Sequence, residues 1–419
     1  MKTLSIFLSL FFASPSVTLA TTSMVNFIPE PPKCIKTEYG KVKGDEFVAN
    51  ITRFSTGFYA GKSFCYTQAR MAFAPDGRGI FVMSALHLKG MDVYSGLFFA
   101  TTKNFGKQWT SFKSSNTIKR RDVGDCQSML IDASPIYHKA SNKFIIFGTE
   151  TLYSKETGKI DFSKSRSALY SIFDEAKNEW TSPKSILLGE GNFGVGCVQA
   201  YAEEDGSIFL PISRLPISRI GKNKKNIHTV FVAKCKFDGT KIVIEKIGNS
   251  MSVDFGRGFY EPSIIKSGEE YFLCLRNDFD GYITKSADGL NFRTPKKLFF
   301  DNGSIVGNYN TQTHFLENDG KVYLVYTRKG ANNDHVFRHR APLFVSQIDK
   351  DSLALKKSTE RAIIPERGAR LGNFGCSKLA EGKWIVVAAE WMQGPKKCQG
   401  CMAHGSDNSI FATEVEFIK

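Results

Sequence analysis

The chain has 419 residues, with 56 Lys plus Arg against 41 Asp plus Glu, a formal net charge of +15, 23% charged and 42% apolar residues. It is long enough to bury a large core and too apolar to stay disordered. Phe (35) and Gly (36) are abundant and Trp (4) is scarce, with no long Ala/Glu/Leu run; this excludes a coiled coil, a collagen-like rod and a multi-span membrane protein, and leans towards β structure.

Residues 1–20 read as a secretory signal. Lys2 precedes the apolar run Leu4 to Phe12, and Thr18-Leu19-Ala20 is a small-residue exit. The run is short for a bilayer span, and no other segment approaches the roughly 18 apolar residues that a membrane helix needs. The mature chain, residues 21–419, is expected to be exported to the periplasm or the extracellular space. It is expected to form a single domain, because no linker interrupts it, and to act as a monomer without a membrane span.

Export sets the reading of nine cysteines, Cys34, Cys65, Cys126, Cys197, Cys235, Cys274, Cys376, Cys398 and Cys401. Some are expected to pair in an oxidising compartment, and the odd count leaves at least one over. Cys398-Gln399-Gly400-Cys401 reads as a local disulfide or thiols, because His404 is the only close further ligand for a metal. No metal and no cofactor are expected. Asn50-Ile51-Thr52 and Asn302-Gly303-Ser304 are glycosylation sequons. The positive charge favours an acidic glycan or polysaccharide as partner. Nucleic acid is not expected: the best basic run, Lys222 to Lys225, is short and lacks interleaved aromatics.

Strand-like runs rich in Phe, Ile, Val and Tyr follow in order: Gly79 to Ser84, Phe144 to Gly148, Ser207 to Ile212, Thr229 to Cys235, Tyr271 to Arg276, Val322 to Thr327 and Lys383 to Ala389. Turn pairs punctuate them, namely Asp76-Gly77, Asp205-Gly206, Asp238-Gly239, Asp319-Gly320 and Glu381-Gly382. No amphipathic helix of three turns is evident. The chain reads as all-β.

A turn motif repeats beneath the strands. Thr102-Lys103-Asn104-Phe105-Gly106-Lys107-Gln108-Trp109 and Ser286-Ala287-Asp288-Gly289-Leu290-Asn291-Phe292 share a hydroxyl, an acid or amide, a glycine and an aromatic. Ser171 to Trp180 is a degenerate copy, and Ser346 to Asp349 opens another. The acid or amide accepts backbone N–H groups, glycine supplies positive φ, and the aromatic plugs the gap between sheets. Units of roughly 55–70 residues give about six repeats, the signature of a β-propeller of four-stranded antiparallel sheets.

These turns resemble the Asp-boxes, or BNR repeats, of the sialidase superfamily, which is built on six-bladed propellers. The resemblance implies an exo-glycosidase that removes a terminal acidic sugar. It implies three arginines clamping the substrate carboxylate, since a guanidinium offers two parallel donors, an Asp as acid/base, and a Tyr nucleophile assisted by a Glu. Arg70 in Arg70-Met71-Ala72 maps to the first arginine, Arg276 to the second and Arg338 to the third, with Arg328 and Arg340 as neighbouring competitors. Asp92 maps to the acid/base and Glu261, in Tyr260-Glu261-Pro262, to the Glu that assists the nucleophile. Glu390 maps to the Glu that holds Arg70. Where the family's Tyr is expected the register holds Phe374, which has no hydroxyl; the chain resembles a divergent member, with Tyr260 and Tyr309 as the nearest substitutes.

Two other chemistries fit the same residues. A polysaccharide lyase would use a His base on a uronate, and His87, His138 and His314 are candidates, with the Arg/His-dense segment Asn333 to Arg340 as a carboxylate site. A propeller that binds glycans without turning them over is the other. Gln199 reads either as a cleft residue facing sugar hydroxyls or as ordinary packing, and Arg367-Gly368-Ala369-Arg370 as a glycan-binding loop or a plain basic turn.

Overall fold

The computed structural model describes residues 28–88, 90, 92–215, 227–394 and 397–418. The signal-like segment 1–20 and the basic run at Lys222 lie outside the described residues.

Six antiparallel sheets form a six-bladed β-propeller. Blade 1 runs outward through Phe64–Phe73, Gly79–His87, Tyr94–Thr102 and Lys113–Lys119. Blade 2 begins at Cys126–His138 and blade 3 at two short inner pieces, Asn192–Gly194 and Tyr201–Ala202. Blade 4 begins at Tyr260–Ser267, blade 5 at His314–Asn318 and blade 6 at Gly375–Ala380. Blades 1, 4 and 5 have four strands each; the other three carry an additional one or two.

The second strand of each blade is buried on both faces, as in Gly79–His87, Glu270–Arg276 and Lys383–Ala389. A strand covered on both sides reads as a continuous apolar run rather than an alternation, which is why six of the seven strand-like runs in the sequence fall on second strands. The exception, Thr229 to Cys235, lies on the third strand of blade 3, Thr229–Phe237. The core is a set of layers between neighbouring blades. Phe99, Ile146, Leu169 and Trp180 join blades 1 and 2, for example, and Val230, Phe259, Leu273 and Tyr282 join blades 3 and 4.

Blade 6 closes the ring. Its inner strands come from the end of the chain, and Ile410–Phe417 pairs with Phe47–Ser55 from the beginning, from Phe47↔Phe417 to Phe54↔Ile410. Alternation along Phe47–Ser55 buries Phe47, Ala49 and Ile51 in the layer shared with blade 5. Phe54 turns to the other side and meets Phe81 of blade 1 edge-on, ring centroids 5.7 Å apart.

The repeated turns show their hydrogen bonds. Asp288 Oδ1 accepts the backbone N–H of Leu290 (2.9 Å) and Asn291 (2.7 Å), and Ser286 Oγ accepts from Gly289 (3.1 Å). Asn104 stands in for the acid in blade 1 and accepts from Gln108 N at 2.9 Å. Gly289 has φ +70°, and a Cβ there would lie 2.7 Å from Phe209 Cε1 of blade 3. In the two degenerate copies the serine instead donates to the neighbouring strand, Ser171 Oγ to Thr181 O and Ser346 Oγ to Lys356 O.

No disulfide joins the nine cysteines, against the pairing expected from an oxidising compartment. Eight are buried, Cys398 and Cys401 among them on the helix Lys397–Met402. No described helix is long and apolar enough to cross a membrane.

Phe54→Ala removes the ring that ties the closing strand to blade 1. It should lower unfolding free energy by about 3–5 kcal/mol; urea denaturation of the two proteins measures this.

Candidate functional site

Five residues that are not glycine adopt positive φ at the same place in successive blades: Gln68 (57°), Asp132 (59°), Cys197 (59°), Glu261 (45°) and Asn310 (49°). In blades 1, 2 and 4 the register of the inner strand breaks there, between Thr67 and Arg70, Ile131 and Ser134, and Tyr260 and Ser263. Each break is a β-bulge, which re-aims a side chain and recurs beside functional sites. Two of these side chains meet between blades 1 and 2, and a third pairs within blade 4. Gln68 donates to Asp132, its Oε1 accepts Asp132 N at 3.1 Å, and Glu261 pairs with Arg276. This end of the channel is the candidate site.

Three arginines are buried around it: Arg276 (8% exposed), Arg340 (3%) and Arg370 (2%). Arg276 ends the second strand of blade 4; it is held by Glu261 and by Asn310 Oδ1 (2.6 Å). Arg340 follows the loop of blade 5 and donates to Asn310 O. Arg370 enters blade 6 and lies over Trp391 at 4.0 Å, with Nη2 donating to Gln393 Oε1 at 3.3 Å. Nε of Arg276 and Arg340, and both Nε and Nη1 of Arg370, are buried without a hydrogen-bond acceptor. An unpaired buried cationic donor costs several kcal/mol. Burial and the charges of Arg276 and Arg370 press the Arg340 guanidinium well below its ordinary pKa, and burial takes Arg370 down to about 10. A bound anion relieves all three.

Carboxylates face this positive cluster. Asp92, on the loop after the second strand of blade 1, has φ 57°. Burial, and then the charge of Glu261, raise its pKa against the pull of Arg276, Arg340 and Arg370. Burial raises Asp132 to about 7, with Asp92 and Glu261 adding to the effect. A carboxyl near 7, as at Asp132, is in part protonated at neutrality, and burial moves Asp92 in the same direction. Asp278 is the opposite case. Against the pull of burial, hydrogen bonds from Arg257 and Tyr260 hold it at about 2.

The residues singled out from sequence separate into two groups. Asp92, Glu261 and Arg276 converge at the mouth, and Arg338 stands at its rim: the positive fields of Arg276 and Arg257 act on it, and its guanidinium lies 5.1 Å from the Phe337 ring. Tyr260 is present but committed. It is buried, its hydroxyl donates to Asp278 Oδ1 at 2.7 Å, and Arg276 and Arg257 each lie 4.5 Å from its ring. Arg70 lies deeper in the channel, its guanidinium spent on Phe374 O, Ala133 O, Cys197 Sγ and Gln312 Oε1. Bulging brings Gln68, rather than Arg70, to the ring at the mouth. Glu390 holds Arg367 (3.5 Å) and the backbone of Asp407 and Ser409, not Arg70. Arg328 is paired with Glu360 (2.8 Å) at the outer part of blade 5.

The histidines and Gln199 are tied into the scaffold. His314 pairs with Ser263 Oγ (2.7 Å) and Phe374 O (3.1 Å), and burial with the charge of Arg70 drives its pKa to about 3. His138 uses both nitrogens, on Ser141 Oγ and Gly206 O. His87 Nε2 pairs with Ser95 Oγ at 2.6 Å. Gln199 exchanges two hydrogen bonds with the backbone of Phe315 across the channel. Of the Arg367-to-Arg370 turn, Arg367 is structural and Arg370 faces the site.

Sequence reasoning passed over Gln68, Asp132 and Asn310. The signal available was positional: Gln68-Ala69-Arg70, Asp132-Ala133-Ser134, Cys197-Val198-Gln199 and Glu261-Pro262-Ser263 recur at the repeat interval, each within or beside an inner strand. No group of three or more His, Cys, Asp or Glu side chains is arranged to hold a metal among the described residues. A cavity of about 680 Å³ lies between Arg70, Lys139, Gln199, Glu317, Lys378 and Trp384. Asp92, Asp132 and Glu261 do not line it, and the site is therefore placed by charge and geometry rather than by size.

No protein-family profile and no curated protein matches the sequence. Solved structures do. A Dyadobacter fermentans protein of unknown function aligns over 90% of this chain and 99% of its own, with TM-score 0.62 and 15% identity. The Hadza microbial sialidase Hz136 aligns over 83% of this chain with TM-score 0.56 and 10% identity, and a Trypanosoma rangeli sialidase over 92% with TM-score 0.55 and 12% identity. The fold is that of the sialidases. The chain spans 65% and 60% of the lengths of those two sialidases. At these identities the sialidase likeness concerns architecture alone.

Asp132→Asn tests the electrostatics. A carboxyl whose folded pKa exceeds its unfolded value binds its proton better in the native state, so it costs stability as pH rises from about 4 to 7. The variant should match the parent at pH 4, and above pH 7 should exceed it by an amount on the order of a few kcal/mol, read from urea denaturation at both pH values.

Proposed function

We propose that this protein is an exported hydrolase that removes a terminal acidic sugar, of sialic or uronic acid type, from a glycan or polysaccharide. The observation that carries the reading is the set of buried arginines with orphaned donors beside carboxyl groups whose proton affinity burial raises. A planar carboxylate on the sugar satisfies those donors in pairs. Arg276, Arg340 and Arg370 bind it, with Arg338 at the rim. Asp92 stands across from them and protonates the departing glycosidic oxygen, then takes the proton back from water. Glu261 fixes Arg276 and adds negative potential that raises the proton affinity of Asp92 and of the neighbouring Asp132. The chain is a divergent sialidase-like enzyme, since Phe374 stands where the family's Tyr is expected.

Of the histidines weighed as bases for an elimination, His138 and His314 are spent on scaffold hydrogen bonds, which removes those two from the lyase reading.

Incubation with a panel of sialylated and uronic-acid glycans, followed by mass spectrometry, tests the reading. Release of a monosaccharide with one water added is expected; an unsaturated uronate product, or no product, overturns it. Asp92→Asn should lower kcat by about 10²–10⁴ on the best substrate. Arg340→Ala should instead weaken binding of the free acidic sugar at least tenfold, measured by calorimetry.

A further inference from the structure

Two further arginines stand at the same end of the channel, outside the cluster that receives the first carboxylate. Arg166 lies on the loop between the second and third strands of blade 2, Lys143–Ser154 and Ala168–Asp174. This loop is the counterpart of the one that carries Asp92 in blade 1. Arg120 lies on the passage from blade 1 to blade 2, between Lys113–Lys119 and Arg121–Val123. Tyr153, near the end of Lys143–Ser154, links Arg120 to Asp92. Its hydroxyl donates to Asp92 O at 2.8 Å and accepts Tyr94 N at 3.3 Å, and the Arg120 guanidinium lies 3.7 Å from its ring centroid. Nε of Arg120 donates to Tyr94 O at 2.8 Å.

The remaining donors are unspent. Nη1 and Nη2 of Arg120 and Nη2 of Arg166 are buried without an acceptor among the described residues. Burial lowers both guanidiniums below their ordinary pKa. Arginines that brace loops at this end of the propeller are paired, Arg257 with Asp278 at 2.6 Å and Arg328 with Glu360 at 2.8 Å. Arg120 and Arg166 form no such pair among the described residues. Leaving buried cationic donors empty is costly, and a neutral hydroxyl would fill a donor without answering the charge.

Their position is also informative. The acidic charges that reach Arg166 are those of Asp92 and Asp132, whereas Asp92 itself is under the pull of Arg276, Arg340 and Arg370. Asp92 therefore stands between two sets of unpaired cations. With the first sugar's carboxylate on Arg276, Arg340 and Arg370 and the glycosidic oxygen at Asp92, the departing sugar extends towards blade 2.

We infer that Arg120 and Arg166 form a second anion subsite, which takes an acidic group on the departing sugar, so that the substrate is a glycan with acidic groups on two adjacent sugars. The inference rests on the hydrolase reading above and narrows its substrate class. A carboxylate or a sulfate ester supplies the required chemistry, since either accepts several guanidinium N–H bonds at once. Such a polyanionic chain also suits the net charge of +15.

The experiment is calorimetric titration of the full mature chain with sulfur-linked disaccharides, which resist cleavage. The first sugar is sialic acid in one series and glucuronic acid in the other. Its partner is a neutral hexose, the same hexose bearing a 6-sulfate, or a second copy of the acidic sugar. At least one doubly acidic ligand should bind about tenfold or more tightly than the neutral-hexose ligand of its series, and the tighter one identifies the anion. Arg166→Gln and Arg120→Gln should each reduce that advantage to within about threefold, and leave affinity for the neutral-hexose ligand within about twofold of the parent. Equal affinity for all three ligands of a series that binds overturns the subsite while leaving the hydrolase reading intact. So does an advantage that survives both substitutions, or an equal loss for neutral and doubly acidic ligands. If no ligand of either series binds the parent, the functional reading fails and the subsite with it. Thermal melting identifies a variant that has not folded. In that case the parent decides alone, through a dimer whose second carboxylate is converted to the amide: retained affinity overturns the subsite, and a fall of about tenfold upholds it.

Discussion

Everything at the mouth of the channel depends on the hydrogen-bonded ladder between Phe47–Ser55 and Ile410–Phe417. A propeller blade buries its faces only against neighbours, so a ring left open exposes two apolar layers. Here the ladder joins the beginning of the chain to its end, and Phe47, Ile51 and Phe54 seal blade 6 to blades 5 and 1. The site draws Asp92 from blade 1, Asp132 from blade 2, Glu261 and Arg276 from blade 4 and Arg340 from blade 5. Their separations are set by the circumference of the closed ring rather than by local contacts.

Within that frame the electrostatics are unbalanced in a directed way. Glu261 neutralises Arg276, and Asn310 gives Arg276 and Arg340 a shared neutral anchor. Arg340 and Arg370 receive no carboxylate of their own among the described residues. Asp92 and Asp132 are pushed towards the neutral form by burial and by the charge of Glu261, which weakens their pull on the arginines. Such a site holds unspent positive potential in a buried setting, where a ligand's charge counts for more than it would in water. The same arrangement disfavours a cationic or neutral ligand, which would leave the orphaned donors unpaired.

The fold was legible where burial is two-sided. Gly79–His87, Glu270–Arg276 and Lys383–Ala389 announce themselves as apolar runs, and the Gly of each preceding turn marks where they start. Outer strands such as Lys184–Ser185 and Lys296–Lys297 are two polar residues long and leave no pattern to find. The site was legible in part. Asp92, Glu261 and Arg276 were placed through their order along the repeat. Arg70 was misleading because a bulge shifts the inner strand by one residue, moving Gln68 to the mouth and Arg70 inward, and a bulge in a non-glycine sequence has no compositional mark. Arg370 and Arg340 were visible as residues but not as a pair, since their proximity arises only when blades 5 and 6 pack.

The meeting of the two chain ends in one sheet also has a consequence for synthesis. The partner of Phe47–Ser55 is synthesised only after all the intervening blades, so through that stretch of translation the strand has an unpaired edge. Pairings of such long range form slowly. The six blades therefore become a ring only once Ile410–Phe417 has emerged, and until then the edges of blade 6 are open to pairing with other chains. A chain cut short within Ile410–Phe417 loses more than one strand. It forfeits the register that brings five blades' residues to a common mouth.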